Sequence, residues 1–143
     1  MASEYGKDWR VCIGNGEAEN ETFTAIGGET SHSFRRSSAE IDLSDKDSGT
    51  YGSGSYGLQR ITISVSGNLK LPDPAFAKLF AASKAAPPEI NVQIKKGSIV
   101  KFHGKVGVGN FSSEAPQQGP VTFSCDLSNI GAPIVDDLGA TGA

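Results

Sequence analysis

A mainly β fold, an antiparallel β-sandwich or flattened barrel carrying one helix, is predicted by three features of this 143-residue sequence. Apolar and polar residues alternate at period two in several segments, 18 glycines and 7 prolines punctuate the chain, and a single stretch has helical spacing. The length suits one domain over residues 1–143.

Residues 8–14 place Trp9, Val11 and Ile13 on one face and Asp8, Arg10 and Cys12 on the other, before a turn at Gly14-Asn15-Gly16. That is a half-buried strand, with Cys12 on its polar, partly exposed or interface side. Residues 22–26 read as a short strand or arm stopped by Gly27-Gly28. Over residues 29–43 the apolar phase slips between Phe34 and the set Ala39, Ile41 and Leu43, which predicts a β-bulge or bend near residues 35–38. Residues 44–57, rich in Ser, Gly, Asp and Tyr, read as a long loop between strands, and loops of that length are usually functional or disordered.

Residues 59–71 alternate most strictly, with Ile61, Ile63, Val65, Leu69 and Leu71 opposite Arg60, Thr62, Ser64, Ser66 and Lys70. A continuous strand of that length spans roughly 40 Å, long for a small domain. The helix follows at about residues 73–85: Asp73 caps, Pro74 suits the first helical position, and Phe76, Leu79 and Phe80 form the apolar stripe. Pro87-Pro88 ends it. Ile90, Val92 and Ile94 then face inward, as do Val100, Phe102, Val106 and Val108 after a turn at Lys96-Gly97-Ser98. The last strong strand turns Val121, Phe123, Cys125 and Leu127 inward, and residues 135–143 read as a frayed tail.

No constellation for catalysis emerges, so no enzyme activity, cofactor or metal is predicted. Gly52-Ser53-Gly54-Ser55-Tyr56-Gly57 matches a dinucleotide-binding pattern, but a strand follows where a helix must receive the phosphates. His32 and His103 stand on different strands outside any ligand spacing. Glu40, Asp42, Asp45 and Asp47 lack the spacing and closing Glu of a calcium loop and read as a negative surface. Two cysteines in opposite phases make no disulfide scaffold, which predicts synthesis in a reducing cytoplasm, and no apolar run reaches membrane-spanning length.

A formal charge of -3 excludes nucleic-acid binding driven by net charge. The charge is segregated, though, with net values of -5 over residues 1–57, +6 over 58–110 and -4 over 111–143. Oppositely charged patches on neighbouring copies of one chain would use that segregation, and solvated strand faces would also produce it.

The order of elements carries a resemblance. Its marks are Gly6-Lys7-Asp8 before the first strand, the segment from Phe23 to Gly28, Ala39-Glu40-Ile41-Asp42-Leu43-Ser44 entering the loop, Ile61-Thr62-Ile63-Ser64-Val65-Ser66-Gly67, Asp73-Pro74-Ala75 opening the helix, and Ser128 to Gly131. From about Gly6 to Ala132 the chain resembles the major tail tube proteins of long-tailed bacteriophages, including those of gene transfer agents. The resemblance implies stacked rings of six subunits whose inner strands join into one barrel, a hollow tube for DNA delivery. Its partners would be further copies of itself and the tape measure, tail terminator and distal tail proteins, with DNA passing transiently and no membrane insertion. The place would be the virion tail, assembled in the host cytoplasm. A wall that must not hold phosphate should be small, polar and neutral or acidic, which points to Glu40, Asp42, Thr62, Ser64 and Ser66 as lumen-facing. Asp45, Asp47, Tyr51, Tyr56 and Leu58 would then form a ring-stacking loop. The inner tube of a contractile tail or a type VI secretion-like system fits the same resemblance. From a different class, a monomeric β-sandwich carbohydrate-binding or adhesion module fits the fold.

Overall fold

The computed structural model describes residues 3–14, 21–47 and 49–140; the expected Asn15-Gly16 turn lies outside them. Alternation gives strands wherever one face finds a core. In chain order they are β1 (Trp9–Gly14), β2 (Phe23–Ala25), β3 (Glu29–Asp42), β4 (Gly54–Asn68), β5 (Glu89–Lys96), β6 (Ile99–Glu114), β7 (Thr122–Asn129) and β8 (Val135–Asp136). The helix α1 (Pro74–Lys84) stands between β4 and β5. All strands join one antiparallel sheet in the order β2-β1-β5-β6-β7-β4-β3, with β8 paired to β6.

The sheet is coiled but does not close. Phe34 on β3 meets Phe102 on β6 edge to face, their centroids 5.9 Å apart, although β4 and β7 separate those strands in the ladder. Arg36 of β3 reaches Asp136 of β8 across the same gap. Inside the curve lies the core of Val11, Ile13, Ile61, Ile63, Val65, Val92, Ile94, Phe102, Val106, Phe123 and Leu127. Helix α1 adds Ala75, Leu79 and Ala82, and Phe76 packs on Phe123 and Phe111. Asp73 fixes the helix twice over. Its Oδ1 accepts the Ala75 and Phe76 N–H groups, while Oδ2 accepts Gly27 N–H at 3.0 Å, tying the helix start to the β2–β3 turn.

Several expectations are corrected. The strand expected over residues 59–71 runs instead from Gly54 to Asn68, because beyond Asn68 the chain leaves the ladder to open the helix. Leu71 is accordingly 72% exposed rather than inward. The loop expected over 44–57 is shorter, since Gly54, Ser55 and Tyr56 pair with Asp42, Ile41 and Glu40. It is pinned by Leu43 N–H to Ser53 O at 2.9 Å and by Ser53 N–H to Ser44 Oγ at 2.7 Å. Cys12 is buried rather than exposed: its ladder neighbours Ala25 and Gln93 flank it, and Arg10 on the same side folds toward Ile26 O. At the C-terminus, where the sequence reads as frayed, β8 pairs with β6 and Lys101 Nζ donates to Ala140 O.

The irregularity beside the expected bend at 35–38 lies on β4, and β3 itself keeps one phase from Ser31 to Asp42. Ser38 pairs with Gln59 and Glu40 with Tyr56, so two steps on β3 face three on β4, and the extra residue sits at Gly57/Leu58. Further register shifts fall at Glu29/Ser31, at Ile94/Lys95 and, in β6, between Gly109 and Ser112. Within the β6 shift Asn110 adopts φ 53, a left-handed conformation that Asn tolerates, and Phe111 comes to the core side under Phe76 and Phe80.

Candidate functional site

The outer face of β3, β4, β7 and β6 is almost wholly small and polar. Register aligns Ser33, Ser64, Asp126 and Gly109 in one row across the four strands, and Ser31, Ser66, Ser124 and Ser112 in the next. Arg35, Thr62, Ser128 and Gly107 form a third row. Serines interlock along the second row, with Ser31 Oγ 3.0 Å from Ser66 Oγ and Ser112 Oγ 2.8 Å from Ser124 Oγ. These short hydroxyls exist on this face because strict alternation sends Ile61, Ile63, Val65, Phe123, Cys125 and Leu127 to the other.

Asp126 is the one carboxylate in those rows, and no sequence motif singles it out. Asn110 Nδ2 donates to its Oδ2 at 3.0 Å and Ser64 Oγ to its Oδ1 at 2.8 Å. Those bonds, Asn110's first, hold its carboxyl below the ordinary Asp range, with Arg35 adding a smaller electrostatic pull. The group is therefore a fixed negative charge near neutral pH. Its only readable signal was its place between Cys125 and Leu127 in an alternating strand.

Thr62, Ser64 and Ser66 stand together as expected, but Glu40 and Asp42 do not join them. β3 keeps its alternation past Ser38, so Glu40 and Asp42 share the side of Phe34 and Ser38, opposite Ser33 and Arg35, and the extra residue at Gly57/Leu58 turns Tyr56 and Gly54 to that side with them. A Cβ built on Gly57 would meet Ile41 Cδ1 at 2.9 Å, so Ile41 occupies the side that continues the serine face.

β7 pairs with β4 only from Thr62 onward, which leaves the end of the β3–β4 hairpin as a two-stranded arm projecting from the sheet. Asp45, Asp47 and Tyr51 lie in its loop, whereas Tyr56 and Leu58 belong to β4. Tyr51 is 99% and Leu58 88% exposed, and Ile41, Leu43 and Tyr56 are exposed with them. Within the arm, Asp42 Oδ1 accepts Ser44 N–H at 2.8 Å, which holds its carboxyl below its ordinary range, and Asp45 Oδ1 accepts Asp47 N–H at 2.9 Å. Gly49 and Gly52 turn the loop at φ 71 and 72.

The remaining reactive side chains are locked in structural roles. Burial pushes the Cys125 thiol up to about 12, helped by the Asp126 charge, and raises Cys12 as well, so neither is a ready nucleophile. His32 Nδ1 lies 2.5 Å from Glu29 Oε2, a pairing that the sequence reading missed, and His103 meets the edge of Phe23. Among the described residues there is no group of three or more side chains able to hold a metal, and no helix long and apolar enough to cross a membrane.

Residues 4–135 match the model of a family described as phage tail tube protein. Solved structures share the fold, among them these three. The tail of an empty gene transfer agent particle, refined with C6 helical symmetry, aligns at TM-score 0.72 and 14% identity over 93% of this chain and 98% of that one. The virion of a native gene transfer agent particle gives TM-score 0.69 and 14% identity over 92% and 97%. The SPP1 tail tube, from solid-state NMR and cryo-EM, gives TM-score 0.69 and 15% identity over 95% and 83%. No curated protein matches in sequence.

Proposed function

Because this chain belongs to the phage tail tube protein family, we propose that its copies form hexameric rings, stacked into the hollow tube of a virion tail, with the serine face lining the channel. The observation that carries this is a four-stranded polar face with an unpaired strand edge on each side. On one side, β3 bonds to β4 alone, so its outer edge meets no described strand. On the other, β5 covers β6 only as far as Gly107, leaving the rest of β6, to Glu114, beyond its reach. Joining the β3 edge of one copy to the β6 overhang of the next extends the serine face around a ring and removes both edges.

Such a wall offers DNA hydroxyls and the fixed Asp126 charge, so phosphates find little to hold them. Arg35, Arg60 and, further along β6, Lys105 are bases on this side; Arg35 is drawn to Asp126, Lys105 pairs with Glu89 at 3.2 Å, and Arg60 stands at the root of the arm where rings would meet. The role is structural rather than enzymatic. Tape measure, terminator and distal tail proteins would meet the two ends of the finished tube. Sedimentation and negative-stain microscopy of the purified chain test the reading: tubes are expected on concentration, and a persistent monomer would overturn it.

A further inference from the structure

On the side of the molecule away from the serine face, β5, β6 and the segment entering β2 border a cleft of about 750 Å³. Phe102 points through the core to Phe34 of β3, so its neighbour His103 points away from both. Register places Gln93 beside His103 and Lys95 beside Val100 on the floor of the cleft. Phe23 of β2 closes one wall, meeting the His103 ring edge to face at a centroid distance of 5.0 Å. Ile134, whose N–H donates to His103 O at 2.7 Å, stands 75% exposed at the rim. The volume lies within the roughly 300–1,000 Å³ of small-molecule sites.

Two side chains in the cleft lack the partner that their burial calls for. Gln93 is 7% exposed; its Nε2 lies 3.4 Å from His103 Nδ1, but its Oε1 has no hydrogen-bond partner. A buried acceptor in that state is costly, and a donor entering through the cleft relieves it with a turn about the last side-chain torsion, which is soft. Lys95 is partly buried and has no ion-pair partner among the described residues. Glu21, the acid among the lining residues, accepts from Asn91 Nδ2 at 2.9 Å. Asn91 stands four residues from Lys95, roughly 13 Å along β5, so Glu21 is held at the other end of the cleft.

The cleft therefore suits a ligand with one negative charge for Lys95, a hydroxyl donor for Gln93 and C–H groups against Phe23, Val100 and Ile134. One ammonium, with no arginine among the lining residues, matches a carboxylate better than a phosphate. We infer that the cleft binds a uronic acid, a sugar that carries a carboxylate and hydroxyls on one ring. The site is complete within a single chain and goes beyond the tube reading. In a tube lined by the serine face it opens on the outer surface.

Titration of the dilute, unassembled chain with glucuronate, followed by amide NMR, tests the assignment. Saturable shifts are expected at the Gln93 side-chain amide and at Lys95 and His103. Glucose lacks the charge and acetate lacks the hydroxyls, so each should bind at least roughly tenfold more weakly. Lys95→Gln should weaken glucuronate binding roughly tenfold and Lys95→Arg by less than about threefold. Lys105→Gln, outside the cleft and paired with Glu89, should change nothing. Circular dichroism checks that the variants fold, and the comparison of the three ligands needs no variant. A uronate tetrasaccharide that binds more tightly than glucuronate assigns the site to a polymer, and one that binds more weakly assigns it to the free sugar. No saturable shift, glucose or acetate binding as well as glucuronate, or equal losses from Lys95→Gln and Lys105→Gln would overturn the site. Failure to form tubes would overturn the tube reading alone.

Discussion

Asp73 joins the helix to the sheet through two separate carboxylate oxygens, so its substitution should cost stability in two steps. Asp73→Ala removes the cap on Ala75 and Phe76, typically about 1 kcal/mol, and also the acceptor of Gly27 N–H. A hydrogen bond to a charged group contributes about 1.5–3 kcal/mol, but Gly27 is exposed and water recovers part of it, so about 1 kcal/mol remains. The expected loss is about 2 kcal/mol. At roughly 4 °C per kcal/mol for a domain of this size, Tm should fall by about 8 °C. Asp73→Asn retains one acceptor oxygen and should lose about half as much. Urea unfolding of dilute, unassembled protein measures both without the stabilising effect of association. A loss below about 0.5 kcal/mol for Asp73→Ala, or equal losses for the two variants, would refute the claim that both oxygens are structural.

Four further outcomes are expected. Ser64→Lys places a cation beside Asp126; tubes should still form but retain duplex DNA, with a salt slope steeper by about 0.9 per phosphate neutralised, measured by co-sedimentation. Asp126, held below its ordinary range, contributes stability that is complete above about pH 4 and lost as pH falls through its lowered folded value, so Asp126→Asn should weaken the acid dependence and leave pH 5–8 flat. Buried Cys12 and Cys125 should resist a thiol reagent in the native monomer and react only on unfolding. Amide exchange over residues 43–53 should slow on assembly; full protection already in the monomer would remove the loop from the stacking interface.

The sequence showed its fold wherever burial enforces alternation. Ile61, Ile63 and Val65 face the core as expected, and Asp73 caps the helix as expected, because each answers to local geometry alone. Thr62, Ser64 and Ser66 came together for the same reason. What failed was the assumption that apolar means inward. Ile41 and Leu43 belong to an arm with no core beneath it, so their phase carried no information about burial. The inserted residue at Gly57/Leu58 lies on β4 and only shows itself through pairing with β3, which no single strand reveals. Cys12 sat in a polar phase, yet neighbours from two other strands and Arg10 enclose it. Asp126 became legible only when Ser64 and Asn110, distant in sequence, were brought to it.

A helical cryo-EM reconstruction of the self-assembled, purified chain tests the central claim most directly. The account predicts a hollow tube of stacked rings in which the β3 edge of each copy meets the β6 overhang of the next, with Ser33, Ser64 and Asp126 toward the channel. A tube whose channel is lined by another surface, or subunits joined without continuing the sheet, would contradict it.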